Sequence, residues 1–259
     1  MNEFSQTVNL LFMKKTIKYF IIFYCAVCFS QKKTLTVDYT LYIAENIPEK
    51  NSHKLEILKD IDLKNEKFFF KLYINDSISY FIDNNGISSS NLSTKLAINK
   101  TKYSTPIFFV NNTFYFKNNP SFIFFDRNEF LIKKERINNW EITSESKIID
   151  GRICYKATTK DYYYHNKGKK IDYEITAWFC PELPFRFGPV YYNNLPGLII
   201  EISYLDIKLV ATSLKYELDE RKIVKPTGNN IVTIDEYNSK LTDKMAEMFE
   251  ELEKQNGKK

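Results

Sequence analysis

The sequence predicts a mainly β protein: a single antiparallel, curved sheet or partly open barrel, with one C-terminal amphipathic α-helix packed on it. The first observation is composition, because the 259 residues include 21 Phe and 18 Tyr against 7 Gly, which favours packed strands. The second is a series of short apolar segments between polar turns, with no helical period separating them. The third is a change to helical spacing near the C-terminus alone.

The predicted strands are rich in Ile, Phe, Tyr, Val and Thr, and several alternate between apolar and polar residues. Leu35, Val37 and Tyr39 are predicted on one face of the first strand, with Thr36 on the other. The predicted strands are residues 34–44, 68–74, 78–82, 106–110, 113–117, 121–125, 129–137, 153–160, 171–179, 197–204 and 207–218.

Short turns between these segments predict antiparallel pairing. Asn111 and Asn112 separate two aromatic strands, and Asn tolerates the positive φ that a two-residue hairpin requires. Asp150-Gly151 is a second turn of this kind. A half-barrel of the lipoprotein-carrier type, with an apolar concave face under a helix, fits this order of elements by analogy of fold.

The first 30 residues are predicted to be a secretory signal region. Lysines follow Met13, a short apolar run comes next, and small residues precede the expected cleavage between Ser30 and Gln31. Residues 13–30 are thus the predicted signal peptide, and residues 1–12 an upstream extension. The apolar run has about half of the roughly 20 residues that a membrane-spanning helix needs. We therefore expect export to the periplasm, cell envelope or exterior, with no transmembrane anchor after cleavage.

Residues 31–259 are predicted to form one domain that ends in a helix over about 234–254. Thr233 and Glu236 have the spacing of a capping box, in which each side chain binds an amide at the helix start. An apolar stripe follows at spacings of three and four, formed by Tyr237, Leu241, Met245, Phe249 and Leu252. We expect this stripe to pack on the sheet.

Two cysteines, Cys154 and Cys180, remain after the predicted cleavage. If the hairpin between strands 153–160 and 171–179 turns about Lys167, these cysteines stand opposite each other across the ladder. A disulfide is therefore predicted, which the expected oxidising compartment permits. Two buried free thiols are the alternative.

Residues 140–202 contain an ordered set of motifs that includes Trp140, Trp178, Gly188, Pro189, Leu195, Pro196 and Gly197. With these motifs the segment resembles the GLPGLI family of secreted bacterial envelope proteins, whose function is uncharacterised. Asn194 stands where the family motif begins with Gly, and both residues accept left-handed backbone geometry. The family more often has Thr where Cys180 stands, so the disulfide is not expected as a family feature. The resemblance implies an exported, mostly β protein and supplies no catalytic residue.

The prolines of residues 181–189 exclude a central strand, because proline donates no ladder hydrogen bond. We expect a corner here, with Pro196 and Gly197 in a type II turn and Gly188 and Gly197 close to the two Trp rings. The corner either seats Trp178 as part of the fold or forms the rim of a ligand or partner groove.

The sequence predicts a binding protein rather than an enzyme. The formal net charge of +5 is scattered, which argues against a nucleic-acid partner. No cofactor or metal is expected, and nucleophile or phosphate-loop motifs are missing from the sequence. The leading function is binding of an apolar ligand, a lipid or an envelope protein. A structural interaction module is the alternative, and a hydrolase with two remote carboxylates is the third hypothesis.

Overall fold

The structure is a computed structural model. It describes residues 34–43, 68–84, 105–118, 125–126, 129–164, 170–205, 207–217 and 223–256. The chain divides into Met1–Lys33 and Thr34–Lys259, and the first unit lies outside the described residues. The predicted signal region and its cleavage site at Ser30 and Gln31 therefore stay predictions.

Twelve strands and one helix are found among the described residues. They are β1 (Thr34–Ile43), β2 (Phe68–Asn75), β3 (Ile78–Asp83), β4 (Ile107–Val110), β5 (Thr113–Lys117), β6 (Leu131–Glu135), β7 (Glu141–Ile149), β8 (Arg152–Tyr164), β9 (Lys170–Cys180), β10 (Leu198–Tyr204), β11 (Ile207–Lys215), β12 (Ile231–Thr233) and α1 (Ile234–Asn256).

The strands form one open sheet in the order β12-β6-β5-β4-β3-β2-β1-β11-β10-β9-β8-β7. This confirms the predicted fold class of a mainly β protein with one curved sheet and a C-terminal helix. The antiparallel prediction needs one correction, because β12 pairs with β6 in parallel. The chain reaches β12 only after leaving β11, near the middle of the sheet, so no tight hairpin sets the direction of this pair.

The predicted hairpin turns are confirmed by backbone geometry. Asn111 and Asn112 have φ of 49° and 65° and separate the paired residues Val110 and Thr113. Asp150 has φ of 48° and Gly151 of 74° at the turn from β7 to β8. Positive φ at both positions gives the turn a twist that matches the flanking strands.

The helix begins at the predicted capping box. The Thr233 amide donates to Glu236 Oε2 at 2.7 Å, and the Glu236 amide donates to Thr233 Oγ1 at 3.2 Å. The Tyr237 ring packs between Phe125 and Phe130, with ring centroids 5.7 Å away from each. The helix therefore covers the end of the sheet where β12 and β6 lie.

Two strands are additions to the sequence prediction. β7 has a polar middle and is the last strand at its end of the sheet, so it lacks the apolar pattern of a buried strand. β12 has only three residues, too few to form a pattern. The predicted strand 121–125 falls outside the described residues except for Phe125, which is not in a strand.

The main core lies on one side of the sheet, here called the inner face. It includes Leu35, Val37, Tyr39 and Leu41 of β1, each with 0% exposure, and confirms the predicted alternation of this strand. A smaller aromatic cluster of Tyr73, Tyr80 and Phe108 lies on the opposite, outer face.

Candidate functional site

The inner face is filled by residues 181–197, here called the crossing segment, which connect β9 to β10. Over its first half, apolar residues point inward and polar residues or prolines point to solvent in alternation. The Phe187 ring meets Phe109 of β4 with centroids 5.9 Å apart. The buried apolar residues of the segment are Leu183, Phe185, Phe187, Val190, Tyr192 and Leu195, each no more than 7% exposed.

Backbone hydrogen bonds hold the crossing segment against β10. The Leu198 amide donates to the Leu183 carbonyl at 3.0 Å, and the Ile199 amide donates to the Phe187 carbonyl at 3.0 Å. The crossing segment supplies the carbonyl acceptor in both bonds, so the missing N–H groups of its prolines do not interrupt this short pairing. The predicted corner is therefore present, and it lies inside the fold as a plug of the inner face.

The two motif glycines allow close backbone approach, but not to the Trp rings. A Cβ at Gly197 would lie 2.2 Å from the Cys180 carbonyl oxygen, and one at Gly188 would lie 2.7 Å from the Tyr192 carbonyl oxygen. Gly197 is not among the described residues with positive φ, whereas a type II turn needs positive φ at that position. The predicted type II turn is therefore wrong, and contact explains Gly197. Asn194 has φ of 76°, as expected for a residue that replaces Gly.

The other motif residues separate into two environments. Trp140 is seated by the crossing segment, since its Nε1 donates to the Asn193 carbonyl at 2.9 Å. Trp178 faces the other way, and Lys147 Nζ lies 4.2 Å above its ring. Pro189, Val190 and Leu195 are buried, whereas Pro196 is exposed. The expectation that the corner seats Trp178 is therefore wrong, because Trp178 points to the outer face and the crossing segment seats Trp140 instead.

A set of buried polar side chains lies around Tyr192 in the interior. Its hydroxyl lies 3.2 Å from that of Tyr173, and burial raises the pKa of Tyr192 well above its usual value, with smaller contributions from Tyr204, Tyr173 and Asp161. Asp161 of β8 binds Lys134 of β6 with 2.6 Å between Oδ2 and Nζ. These groups are satisfied by one another, which indicates a structural role.

An apolar surface lies at the far end of the same inner face. We call its four residues the hairpin patch: Ile142 and Ile148 of β7, with exposures of 54% and 74%, and Ile153 and Tyr155 of β8, with 49% and 38%. Ile148 is paired directly with Ile153, and Ser146 with Tyr155, so these side chains share one face. The patch lies beyond the part of the sheet that the crossing segment covers. The sequence did not predict it, because sequence patterns alone do not separate exposed Ile from buried Ile.

A pocket of about 380 Å³ lies beside the turn from β7 to β8. Its polar residues are Asp150, Arg152, Thr212 and Ser213, and its apolar residues are Ile149, Ile200, Ala211 and Leu214. The predicted groove lined by Phe and Tyr is not this pocket. Phe109, Phe114 and Phe116 of the inner face are instead packed against the crossing segment.

Cys154 and Cys180 stand opposite each other, as predicted for a hairpin that turns about Lys167. The register of β8 with β9 runs from Tyr164 with Lys170 to Tyr155 with Phe179, and the next residues along are Cys154 and Cys180. Both are buried free thiols, so the register is confirmed and the disulfide stays a prediction. Burial, followed by the neighbouring Cys180 thiol, raises the pKa of Cys154 to about 12.

The carboxylates that bear on the hydrolase hypothesis lie on the surface of the described strands. Glu141, Glu145, Asp172 and Glu174 are all exposed, as expected for the solvent faces of strands. His53 and His165 lie outside the described residues. Within the described part of the chain, no three His, Cys, Asp or Glu side chains come together to hold a metal, and no described helix is long and apolar enough to span a bilayer.

Comparisons with known proteins place the crossing segment at the centre of the similarity. A family model described as "Protein of unknown function (Porph_ging)" matches residues 164–201, which cover β9, the crossing segment and the start of β10. This match is consistent with the GLPGLI resemblance. No curated protein matches the chain.

Two solved structures of a protein named PNGF-II are similar to this chain. The structure in the C2 space group has a TM-score of 0.47 and 14% identity, over 83% of this chain and 33% of that chain. The structure in the P21 space group has a TM-score of 0.45 and 17% identity, over 78% and 31%. The chain spans about a third of the length of either solved chain.

Proposed function

We propose that this chain is an exported, non-enzymatic binding protein that docks another envelope protein on its hairpin patch. The observation that carries the proposal is the exposure of four large apolar side chains on one face of a single hairpin, from 38% to 74%. Contiguous exposed apolar surface of this kind marks interaction sites. Most of the other apolar residues described on the inner face are buried, so the patch is where we expect that face to meet a partner.

The filled interior argues against a carrier of long lipid chains. The Phe and Tyr side chains that would have lined a carrier cavity contact the crossing segment, as Phe114 and Phe116 do with Tyr191 at centroid distances of 5.8 and 5.0 Å. Admitting a ligand there would require the chain to withdraw these buried aromatic contacts. A protein partner at the patch requires no such rearrangement.

The partner's chemistry follows from the rim of the patch. Glu141 is exposed, and the Glu145 and Asp150 side chains are 59% and 86% exposed. Glu145 and Asp150 pair with Lys156 and Arg152, so the rim carries both signs of charge. We therefore expect an apolar partner surface whose own rim combines acidic and basic side chains, because complementary charges at a rim steer association.

The partner is expected to bind side chains rather than extend the sheet. β7 is an edge strand, but its pairing is irregular between Ile142 and Ser146, where two extra residues interrupt the ladder. Bulges and charged side chains on an edge strand discourage uncontrolled strand pairing. At the other end of the sheet α1 packs on β12 and β6, whereas no described strand pairs with the outer edge of β7.

A second candidate is a small amphipathic ligand in the pocket beside the hairpin turn. Its volume of about 380 Å³ falls within the usual range for ligand sites. The pocket has an apolar group of Ile149, Ile200 and Leu214 and a polar group that includes Arg152. A ligand with a short apolar body and an anionic end would suit this lining.

Site-specific photo-crosslinking in the native cell tests the proposal. A photoreactive residue replaces Ile148 in one variant and Val224, which is 59% exposed, in the control. We expect a discrete protein adduct from position 148 only, and its loss when Ile153→Glu is added but not when Ile231→Glu is added. Equal adducts at both positions, or none, would contradict the proposal. An adduct of two copies of this chain, or a lipid adduct, would also overturn it.

A further inference from the structure

Cys154 and Cys180 occupy directly opposed positions on neighbouring strands. Every register pair of β8 and β9 from Tyr164 to Tyr155 follows the same alignment, and continuing it by one residue brings the two cysteines face to face. Directly opposed Cβ atoms lie about 4.5–5.5 Å apart, and a disulfide needs about 3.5–4.5 Å. The two thiols are not bonded in this structure, so closing the bridge requires the two strand ends to move toward each other by about 1 Å.

The surroundings hold both thiols in place and away from solvent. Each cysteine has 0% exposure. Leu198, also 0% exposed, pairs with Cys180, and Gly197 presses against the Cys180 carbonyl. Lys147 of β7 pairs with Cys154 on its other side. The two neighbouring strands, β7 and β10, and the end of the crossing segment therefore surround the pair.

We infer that Cys154 and Cys180 form an intrachain disulfide while the chain folds outside the cytosol, and that the folded sheet then shields this bond. One thiolate attacks a disulfide oxidant, such as glutathione disulfide or an oxidised thiol–disulfide oxidoreductase, to give a mixed disulfide. The second thiolate displaces the oxidant's sulfur and forms the Cys154–Cys180 bond. The two thiols lose two protons and two electrons, and the oxidant's disulfide becomes two thiols.

The timing follows from reactivity in the two states. The thiolate is the attacking species, and the pKa of Cys154 is raised to about 12 in the folded protein, mainly by burial. The buried thiol is thus almost entirely protonated at neutral pH, whereas a thiol of the unfolded chain has an ordinary pKa and is open to the oxidant. Oxidation is therefore expected before or during folding and not afterwards.

The Cys154–Cys180 bond would join β9 to the part of β8 that carries the hairpin patch. Cys154 lies between Ile153 and Tyr155 on β8, and its side chain points to the opposite face because strand residues alternate. Joining β8 to β9 here fixes the strand that carries half of the patch. The inference itself stands on the register and burial of the two cysteines, independently of any partner.

Thiol trapping after refolding tests the inference. The full chain with Cys25→Ser and Cys28→Ser retains only the pair, and is refolded from urea in mixed reduced and oxidised glutathione, quenched with acid, unfolded and treated with iodoacetamide. We expect neither cysteine to be alkylated and a digest to contain the linked 154–180 peptides. Chains with a further Cys154→Ser or Cys180→Ser substitution serve as controls, and each must present one trapped or glutathionylated thiol. Alkylation of both cysteines in the correctly folded pair variant would overturn the inference.

A second experiment tests whether the folded sheet shields the two cysteines from thiol–disulfide exchange. The folded, reduced pair variant is offered glutathione disulfide, and we expect it to oxidise at least about tenfold more slowly than the same chain in urea. Equal rates would contradict shielding. If this variant does not refold, the wild-type chain isolated without reductant gives the decision, since the linked peptides support the bond and separately alkylated ones refute it.

Discussion

Lys134 and Asp161 lie 2.6 Å apart, Nζ to Oδ2, although β6 lies next to one end of the sheet and β8 next to the other. Their contact means that the open sheet curls around the crossing segment until its two ends approach. Only 16% of the Lys134 side chain and 7% of the Asp161 side chain are exposed. The pair therefore fixes the curvature from inside the protein.

Removing one partner of this pair should destabilise the fold strongly. Asp161→Asn leaves the Lys134 charge buried without its counter-charge, and we expect the free energy of unfolding to fall by about 3–5 kcal/mol. Urea denaturation measures the change. Glu145→Gln is the control, since Glu145 is 59% exposed and binds Lys156 on the surface, and it should cost at most about 1 kcal/mol. Similar losses in both variants would contradict a buried closing pair.

Gly197 is expected to tolerate no side chain. A Cβ there would lie 2.2 Å from the Cys180 carbonyl oxygen and 2.5 Å from its carbon, so Gly197→Ala must move backbone and should cost at least about 3 kcal/mol. Gly151→Ala meets nothing within 4 Å but has φ of 74°, and should cost about 1–2 kcal/mol. Thermal or urea unfolding of the two variants compares them. A milder effect at Gly197 than at Gly151 would show that the contact is not as described.

Removing the hydroxyl should have different effects on the free energy of unfolding at two buried tyrosines, Tyr39 and Tyr237. The Tyr39 hydroxyl donates to the Ile199 carbonyl at 2.5 Å, and Tyr39→Phe should cost about 1–3 kcal/mol because it strands a buried acceptor. The Tyr237 hydroxyl has no hydrogen-bond partner among the described residues. Tyr237→Phe should therefore leave the free energy of unfolding unchanged or raise it. The same urea series measures both, and a loss of more than about 1 kcal/mol in Tyr237→Phe would indicate a missed partner.

Stability should fall steeply as the pH rises above 10. Burial raises the pKa of Tyr39, Tyr191 and Tyr192 in the folded protein, so the unfolded chain loses these protons near pH 10 while the folded chain keeps them. The unfolded state then binds fewer protons, and the free energy of unfolding decreases with pH. The stabilisation is complete below pH 10 and is lost toward the folded pKa values.

Substitutions identify which tyrosines cause this alkaline loss. Urea midpoints at pH 9, 10 and 11 should show a smaller decline for Tyr192→Phe than for the wild type. Tyr216→Phe, at a residue that is 66% exposed, should leave the decline unchanged. An identical decline in the wild type and in Tyr192→Phe would mean that Tyr192 ionises as readily when folded as when unfolded.

Local patterns predicted much of this fold because they depend on neighbouring residues. The Asn111-Asn112 turn, the Thr233–Glu236 capping box and the β8–β9 register each follow from short-range geometry. β7 was missed because an edge strand needs no apolar alternation.

The prolines of the crossing segment predicted correctly that it is not a central strand, but they carry no information about its burial. The alternating Leu183, Phe185 and Phe187 were the available signal of a buried extended segment. Long-range contacts, such as Lys134 with Asp161, leave no mark in local sequence. Nor does the exposure of the hairpin patch, since Ile148 and Ile153 look like core residues.

Hydrogen–deuterium exchange across residues 183–199 tests the central claim most directly, namely that the chain's own segment fills the inner face. The Leu198 and Ile199 amides donate to the Leu183 and Phe187 carbonyls within the core, so opening them should need nearly the full free energy of unfolding. Peptides from this segment should therefore exchange as slowly as those from β1. Exchange as fast as in an exposed loop would mean that the segment leaves the sheet readily, and that the inner face is free to take a ligand.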